Sequence, residues 1–89
     1  MSTVAQIAFT PRAARLDAPR VVRLVLERGE VCRLARGTGR VAVLSGTAWV
    51  ASRGRDFLLR SGERLALPPA TDALLSGLGD EPLTVELRP

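Results

Sequence analysis

The middle of the chain runs Thr47-Ala48-Trp49-Val50-Ala51-Ser52-Arg53-Gly54-Arg55-Asp56-Phe57-Leu58-Leu59-Arg60-Ser61-Gly62-Glu63-Arg64-Leu65-Ala66-Leu67-Pro68. Two turns that each contain a glycine separate three short runs of aliphatic and aromatic residues here. Glycine adopts the positive φ angles that tight reversals require. The third run ends at Pro68-Pro69 because proline cannot donate to a sheet ladder. The stretch therefore predicts consecutive short strands joined by tight turns.

The same pattern continues on both sides and predicts strands at Val21–Glu27, Val31–Leu34, Arg40–Leu44, Thr47–Ser52, Asp56–Leu59, Arg64–Leu67, Asp72–Ser76 and Leu83–Arg88. Apolar and polar residues alternate within these runs, so each strand is expected to have one buried face and one solvated face. That alternation is typical of antiparallel sheets. The sequence predicts an all-β fold, a small barrel or sandwich of about seven to nine antiparallel strands.

The predicted core consists of large apolar residues at the alternating positions: Leu24, Leu26, Leu34, Val41, Val43, Trp49, Leu59, Leu65, Leu67, Leu74, Val85 and Leu87. Cys32 shares a face with Leu34, opposite Arg33, and is expected to point inward as a small hydrophobe. Trp49 is the only tryptophan. We expect it to anchor the core, and the alternative is that it lines a binding cavity.

Residues 1–20 differ from the rest of the chain, since they are rich in alanine, contain Pro11 and Pro19, and show no clean period. We predict an irregular N-terminal tail or lead-in over 1–20, with one short strand near Val4–Phe9, followed by a single β domain over 21–89. No apolar run approaches the ~20 residues of a membrane span. The N-terminus has no signal-peptide pattern, and one cysteine allows no internal disulfide, so we expect a cytoplasmic protein with no membrane partner.

The composition excludes most catalytic machinery, because the chain contains no His, no Tyr and no Lys among its 89 residues. A Ser-His or Cys-His pair, a Schiff-base lysine and an imidazole metal site cannot be built. The segment Gly37-Thr38-Gly39-Arg40-Val41-Ala42 matches the letters of a dinucleotide fingerprint, but a strand follows it where the fingerprint needs a helix. We therefore expect no cofactor and no enzymatic activity.

The net charge of +4 is unevenly distributed, since residues 1–40 hold eight arginines against three acidic residues. The favoured interpretation is a solvated charged face. The alternative is a polyanion-binding surface in this Arg-rich first half, formed by Arg20, Arg23, Arg28, Arg33, Arg36 and Arg40. No aromatic residue lies among these arginines, whereas binders of single-stranded nucleic acid usually add stacking aromatics. The sequence therefore disfavours nucleic acid as a partner but does not exclude it.

The residues Ser45–Ala51 and Asp56–Pro68 resemble an uncharacterised bacterial family, domain of unknown function 2917. The shared pattern is Gly46, two residues, Trp49 and an aliphatic residue, followed by Asp-x-x-Leu-x-x-Gly-(Asp/Glu) and an alternating apolar strand. Ala51 departs from the pattern, where a threonine is common. That family is similar to cupins, so the resemblance implies a small cupin-like β-barrel over residues 21–89. Without His, it implies a barrel that lacks the cupin metal site.

The leading functional hypothesis is a non-enzymatic cupin-like binding or assembly module. Val21 and Val25 fall on presumed outer faces, and such leftover apolar surface suggests a homodimer. One alternative is a sensor that binds an unknown small ligand inside the barrel near Trp49. The other alternative is nucleic-acid binding through the Arg-rich first half.

Overall fold

The computed structural model describes residues 4–7, 21–34, 36–68 and 72–89. The described residues form nine strands and no helix: β1 (Val4–Ile7), β2 (Val22–Leu26), β3 (Val31–Leu34), β4 (Arg40–Ser45), β5 (Thr47–Ser52), β6 (Arg55–Arg60), β7 (Arg64–Ala66), β8 (Ala73–Leu78) and β9 (Leu83–Arg88). The all-β prediction is confirmed. Every strand predicted from residue 21 onward is present, within two residues at each end.

The strands form two sheets that enclose one core. The five-stranded sheet has the order β1-β3-β8-β5-β6, and the four-stranded sheet has the order β2-β9-β4-β7. All pairings are antiparallel except that of β1 with β3, which is parallel. β1 accounts for the short strand expected near Val4–Phe9, and the rest of the predicted tail lies outside the described residues.

Gly46 is a one-residue connection between the two sheets. It alone separates β4, in the four-stranded sheet, from β5, in the five-stranded sheet. Its φ is +85°, and a Cβ atom there would lie 2.7 Å from the carbonyl oxygen of Pro82. Because L-residues avoid this φ and no side chain fits against that backbone, only glycine suits this corner. This requirement explains why a glycine stands three residues before Trp49.

Acidic side chains close two of the turns. The carboxylate of Glu63 accepts a hydrogen bond from the Arg60 N–H at 2.6 Å, and that of Glu30 accepts one from the Glu27 N–H at 2.6 Å. The backbone N–H of each glutamate also bonds to the carbonyl at the other side of its turn. Glu63 therefore caps the local backbone beside a glycine turn, as acidic side chains commonly do.

The core lies between the inner faces of the sheets. Eight of the predicted core residues are buried, and Leu24 and Leu65 are half-buried against them. Cys32 is fully buried, as predicted. The core also contains five apolar residues that the prediction left out: Ala48, Val50, Ala73, Leu75 and Leu83.

Two core predictions are wrong. Trp49 is 42% exposed and Leu74 is 41% exposed. Each belongs to a strand whose other face is the buried one, since Ala48 and Val50 flank Trp49 and are fully buried. The interior near these strands is narrow: a Cβ on inward-facing Gly77 would lie 3.2 Å from the Cβ of Leu83. Gly77 therefore has little room for a side chain, although Val50 and Leu75 on these two strands are fully buried.

Candidate functional site

The outer face of the five-stranded sheet carries an organised set of side chains, which we call the tryptophan face. The register places them in three rows across the strands. The rows run Arg33–Leu74–Ala51–Asp56, then Val31–Ser76–Trp49–Leu58, then Leu78–Thr47–Arg60. Across β3, β8, β5 and β6 the tryptophan face is therefore apolar in its centre, with Arg33 and Asp56 at opposite sides of one row. The register continues this row to Gln6 on the edge strand β1.

The tryptophan face exposes more apolar surface than an isolated side chain would. Trp49, Leu58, Leu74 and Leu78 are all large, and their exposed fractions lie between 38% and 54%. Single exposed apolar residues are normal on protein surfaces, but a contiguous apolar patch ringed by polar groups marks an interaction site. Here four such residues share one flat sheet face.

The outer face of the four-stranded sheet has a different chemistry, and we call it the arginine face. The register places Arg23, Glu86, Ala42 and Arg64 in one row, and Arg88, Arg40 and Ala66 in the next. Arg40 and Arg88 stand directly opposite each other on β4 and β9. Two exposed apolar residues, Val25 and Leu44, lie toward the other end of this sheet.

Glu86 interacts mainly with one of these arginines. Its carboxylate accepts a hydrogen bond from the Arg23 guanidinium at 2.7 Å. This bond and the charges of Arg23 and Arg88 lower the pKa of Glu86, although partial desolvation opposes the shift. Among the described residues, Arg40, Arg64 and Arg88 form no salt bridge. The half of the arginine face around Ala42 is therefore strongly positive.

A small cavity opens between the sheets at the end where β6 and β7 are the edge strands. Its volume is about 260 Å³, and it is lined mainly by apolar side chains, including Phe57, Leu65 and Leu67. Arg53 and Arg55 lie at its rim, and the Arg55 guanidinium lies 5.7 Å from the centre of the Phe57 ring. The cavity is slightly smaller than the ~300 Å³ at the low end of ligand pockets.

The structure does not bring the predicted site residues together. Trp49 lies on the outer face, so its side chain cannot line the barrel interior where the sensor hypothesis placed the ligand. Of the six predicted polyanion-binding arginines, Arg20 lies outside the described residues. The others are scattered, because Arg33 belongs to the tryptophan face and Arg28 forms an exposed ion pair with Asp80.

Sequence reasoning missed the arginines that do cluster. Arg64 and Arg88 come from the second half of the chain, whose net charge is slightly negative. They join Arg40 only because β4 lies between β7 and β9. Arg36 lies in the turn before β4 and is exposed. Only knowledge of the strand order could have revealed this cluster, since the three residues are far apart in sequence.

The barrel interior does not suit a metal ion of the cupin kind. Its inward positions on the five-stranded sheet are mostly aliphatic, such as Ala48, Val50 and Leu75. Within the described ranges, no three His, Cys, Asp or Glu residues are close enough to hold a metal. We therefore assign no metal-dependent step. A helix able to cross a membrane is also absent from the part of the chain described here.

Comparison with solved structures identifies the fold. The chain is similar to a cupin 2 conserved barrel domain protein from Salinispora arenicola, with a TM-score of 0.70, 19% identity, and coverage of 81% of this chain and 63% of the other. A cupin-like protein from Thermotoga maritima gives a TM-score of 0.65 and 22% identity, covering 76% and 54%. A cupin-2 domain containing protein from Shewanella frigidimarina gives 0.60 and 16%, covering 85% of each chain.

These similarities show a cupin-like β-barrel, as predicted. At such low identity they show the fold alone. The chain spans less than two thirds of the Salinispora and Thermotoga proteins. No protein-family model matches the chain, and no curated protein matches it in sequence.

Proposed function

We propose that this chain is a non-enzymatic assembly module that pairs with a second copy of itself through the tryptophan face. The observation that supports the proposal most strongly is the arrangement of that face. In each of the first two rows, one large and one small side chain occupy the two central positions, and the charged residues that β3 and β6 contribute to the first row have opposite signs. A face with this order can be complementary to itself.

A two-fold axis that runs parallel to the strands, between β8 and β5, specifies which residues of the two copies face each other. Such an axis lays each β8 over the partner's β5, and each β3 over the partner's β6. Leu74 then faces the position of Ala51, and Trp49 faces the position of Ser76. In each case a large side chain meets a small one, which is the complementarity that sheet-on-sheet packing needs.

The charges at the ends of the first row agree with the same axis. It places Arg33 of each copy over Asp56 of the other copy, because both residues belong to one row. The contact is isologous, as expected for a two-fold dimer. Other two-fold axes in the plane of the face do not pair these two residues.

The dimensions are those of a small specific interface. Strands of six residues span about 20 Å, and four strands span about 15–20 Å. Such a face-to-face contact covers about 300–400 Å² on each copy, or about 600–800 Å² in total, which is below the ~1,200–2,000 Å² of standard stable complexes. A reversible dimer is therefore expected rather than an obligate one.

The experiment is sedimentation equilibrium on the full chain from micromolar to millimolar concentration. Trp49 provides a second readout, because it is the only tryptophan and is 42% exposed in the single chain. Its emission should shift to the blue as the chain concentration rises. Trp49→Asp, which forces a charge into the contact, should weaken the dimer by about 100-fold or more.

The matched control is Val25→Asp, which adds the same charge at a 52% exposed position on the other sheet. It should leave the dimer unchanged. A wild-type chain that stays monomeric at millimolar concentration would overturn the proposal. Equal weakening by both variants would show that the contact does not use the tryptophan face.

The second candidate function is binding of a small ligand. The structure favours the cavity between the sheets beside β6 and β7 as its site, in place of the interior near Trp49. An apolar cavity of about 260 Å³ with two arginines at its rim is suited to a compact apolar molecule that carries a negative group. Native mass spectrometry tests it, since a retained ligand adds mass that disappears on denaturation. A bare-chain mass in every preparation would contradict this candidate.

We also propose membership of domain of unknown function 2917. Support comes from the residues of its pattern: Gly46 forms the corner between sheets, and Gly62 with Glu63 forms the β6–β7 turn. These roles explain the pattern physically. An alignment of related bacterial sequences that lacks glycine at these two positions would contradict the assignment.

A further inference from the structure

We infer that Arg40, Arg64 and Arg88 form a binding site for a compact phosphate compound with several negative charges, such as a diphosphate or triphosphate group. The site lies on the arginine face, on the side of the barrel opposite the proposed dimer contact. It does not depend on the proposed function.

The first support is the geometry. The three arginines line one shallow depression of about 420 Å³ on the four-stranded sheet. Its lining includes Ala42 and Gly62, which have little or no side chain. Neighbouring positions on paired strands are about 5 Å apart and diagonal ones about 7–8 Å, so three flexible guanidinium groups can reach one phosphate group.

The second support is the charge balance. The one acidic residue in the depression is Glu86, and its carboxylate is hydrogen-bonded to Arg23 in the adjacent strand. Arg40 and Arg88 face each other directly, which is an unfavourable pair in the free protein. A multiply charged anion between them removes that repulsion, whereas a single carboxylate balances only one of the charges.

The third support is the kind of anion that the site suits. Guanidinium groups bind phosphate oxygens through two parallel hydrogen bonds. No aromatic side chain lines the depression, so it offers no surface on which a base could stack. The site is also compact, because Arg33 lies on the other sheet and Arg28 lies at the far end of the barrel. We therefore expect recognition of a small phosphate group rather than of a nucleic-acid strand.

The experiment is isothermal titration of the full chain with inorganic pyrophosphate at low salt. We expect saturable binding with one site per chain. Arg40→Gln, Arg64→Gln and Arg88→Gln should each weaken binding by about five- to tenfold. Arg28→Gln is the matched control, since it removes the same charge from a fully solvated position and should change binding by less than about twofold.

Three results would overturn the inference. Absence of pyrophosphate binding at low salt would remove the site. Equal weakening by Arg28→Gln would show that only the net charge attracts the anion. The third result is tight binding of a single-stranded oligonucleotide, with affinity that rises with its length and a salt dependence equivalent to many phosphates. That result would indicate an extended nucleic-acid surface instead.

Discussion

The tryptophan face carries four large apolar side chains, whereas the arginine face carries four arginines and one glutamate around its most charged end. Both faces are outer faces of sheets that cover the same core. Both are also built mainly by alternation, in which every second residue points away from the interior, although β4 has an irregularity between Val43 and Ser45. The two faces thus obey one rule for burial and differ entirely in what they can bind.

The difference shows that an outward position is not the same as a solvated one. In the folded chain, Trp49 and Arg40 both point away from the core. An arginine there gains full hydration, but a tryptophan there leaves apolar surface in water. A second copy of the chain would cover that surface. In the proposed dimer, the two arginine faces would then lie on opposite outer sides, free for ligands.

After Trp49→Asp, exchange of the charges at Arg33 and Asp56 should have the next largest effect on the proposed dimer. Arg33→Asp alone places two carboxylates opposite each other at both ends of the proposed dimer. We expect its dissociation constant to rise by about tenfold, or about 1.4 kcal/mol. Asp56→Arg alone should do the same. The double variant restores opposite charges, so sedimentation equilibrium should give a dimer within about threefold of the wild type.

The double variant also tests the direction of the two-fold axis. If the axis were perpendicular to the strands, Arg33 would not meet Asp56 of the other copy. The effects of the two exchanges would then add instead of cancelling. Such additivity would exclude the axis proposed here while leaving the tryptophan face as the contact.

A stabilising substitution on the arginine face is the next test. Arg40→Glu replaces the like-charge pair with Arg88 by an opposite-charge pair across β4 and β9. We expect the free energy of unfolding to rise by about 0.2–1 kcal/mol, measured by urea denaturation at a concentration where the chain is monomeric. Pyrophosphate binding should be lost in the same variant.

The control for that gain is Arg28→Glu, which makes an equal change in net charge but breaks the exposed pair with Asp80. It should not raise stability, because it places two acids side by side. An equal gain in both variants would mean that a lower net charge alone is stabilising. The gain in stability would then not come from removing the repulsion between Arg40 and Arg88.

The fold could be predicted from the sequence because its causes are local. Turn glycines and alternation lie within short segments, and strands such as Val31–Leu34 and Thr47–Ser52 have the bounds predicted for them. Trp49 and Leu74 could not be placed, because alternation gives two faces without saying which one is buried. The choice depends on how the two sheets pack against each other, and the residues that meet there, such as Gly77 and Leu83, come from different strands.

The candidate sites were less predictable because they depend on strand order. Arg33 and Asp56 share a row only through β8 and β5, which lie between their strands. Arg40 and Arg88 are opposite each other only because β4 pairs with β9. Such rows join residues that are distant in sequence, and neither spacing nor composition reports them. The Arg-rich first half indicated a basic surface, but the cluster draws on both halves of the chain.

The smallest expected effect on stability concerns the ion pair of Arg23 and Glu86. This pair lies beside the arginines of the arginine face that form no salt bridge among the described residues. The hydrogen bond from Arg23 lowers the pKa of Glu86 in the folded chain below its value in the unfolded chain. The pair therefore contributes its stabilisation above the unfolded pKa and loses it as the pH falls through the folded pKa.

Glu86→Gln should lower the urea midpoint slightly at neutral pH and not at all in acid, below both pKa values. High salt should shrink the neutral-pH difference, since Arg23 is well exposed. A difference that persisted unchanged in acid would assign the effect of the substitution to packing, and Glu86 would then not be the group that limits the positive part of this face.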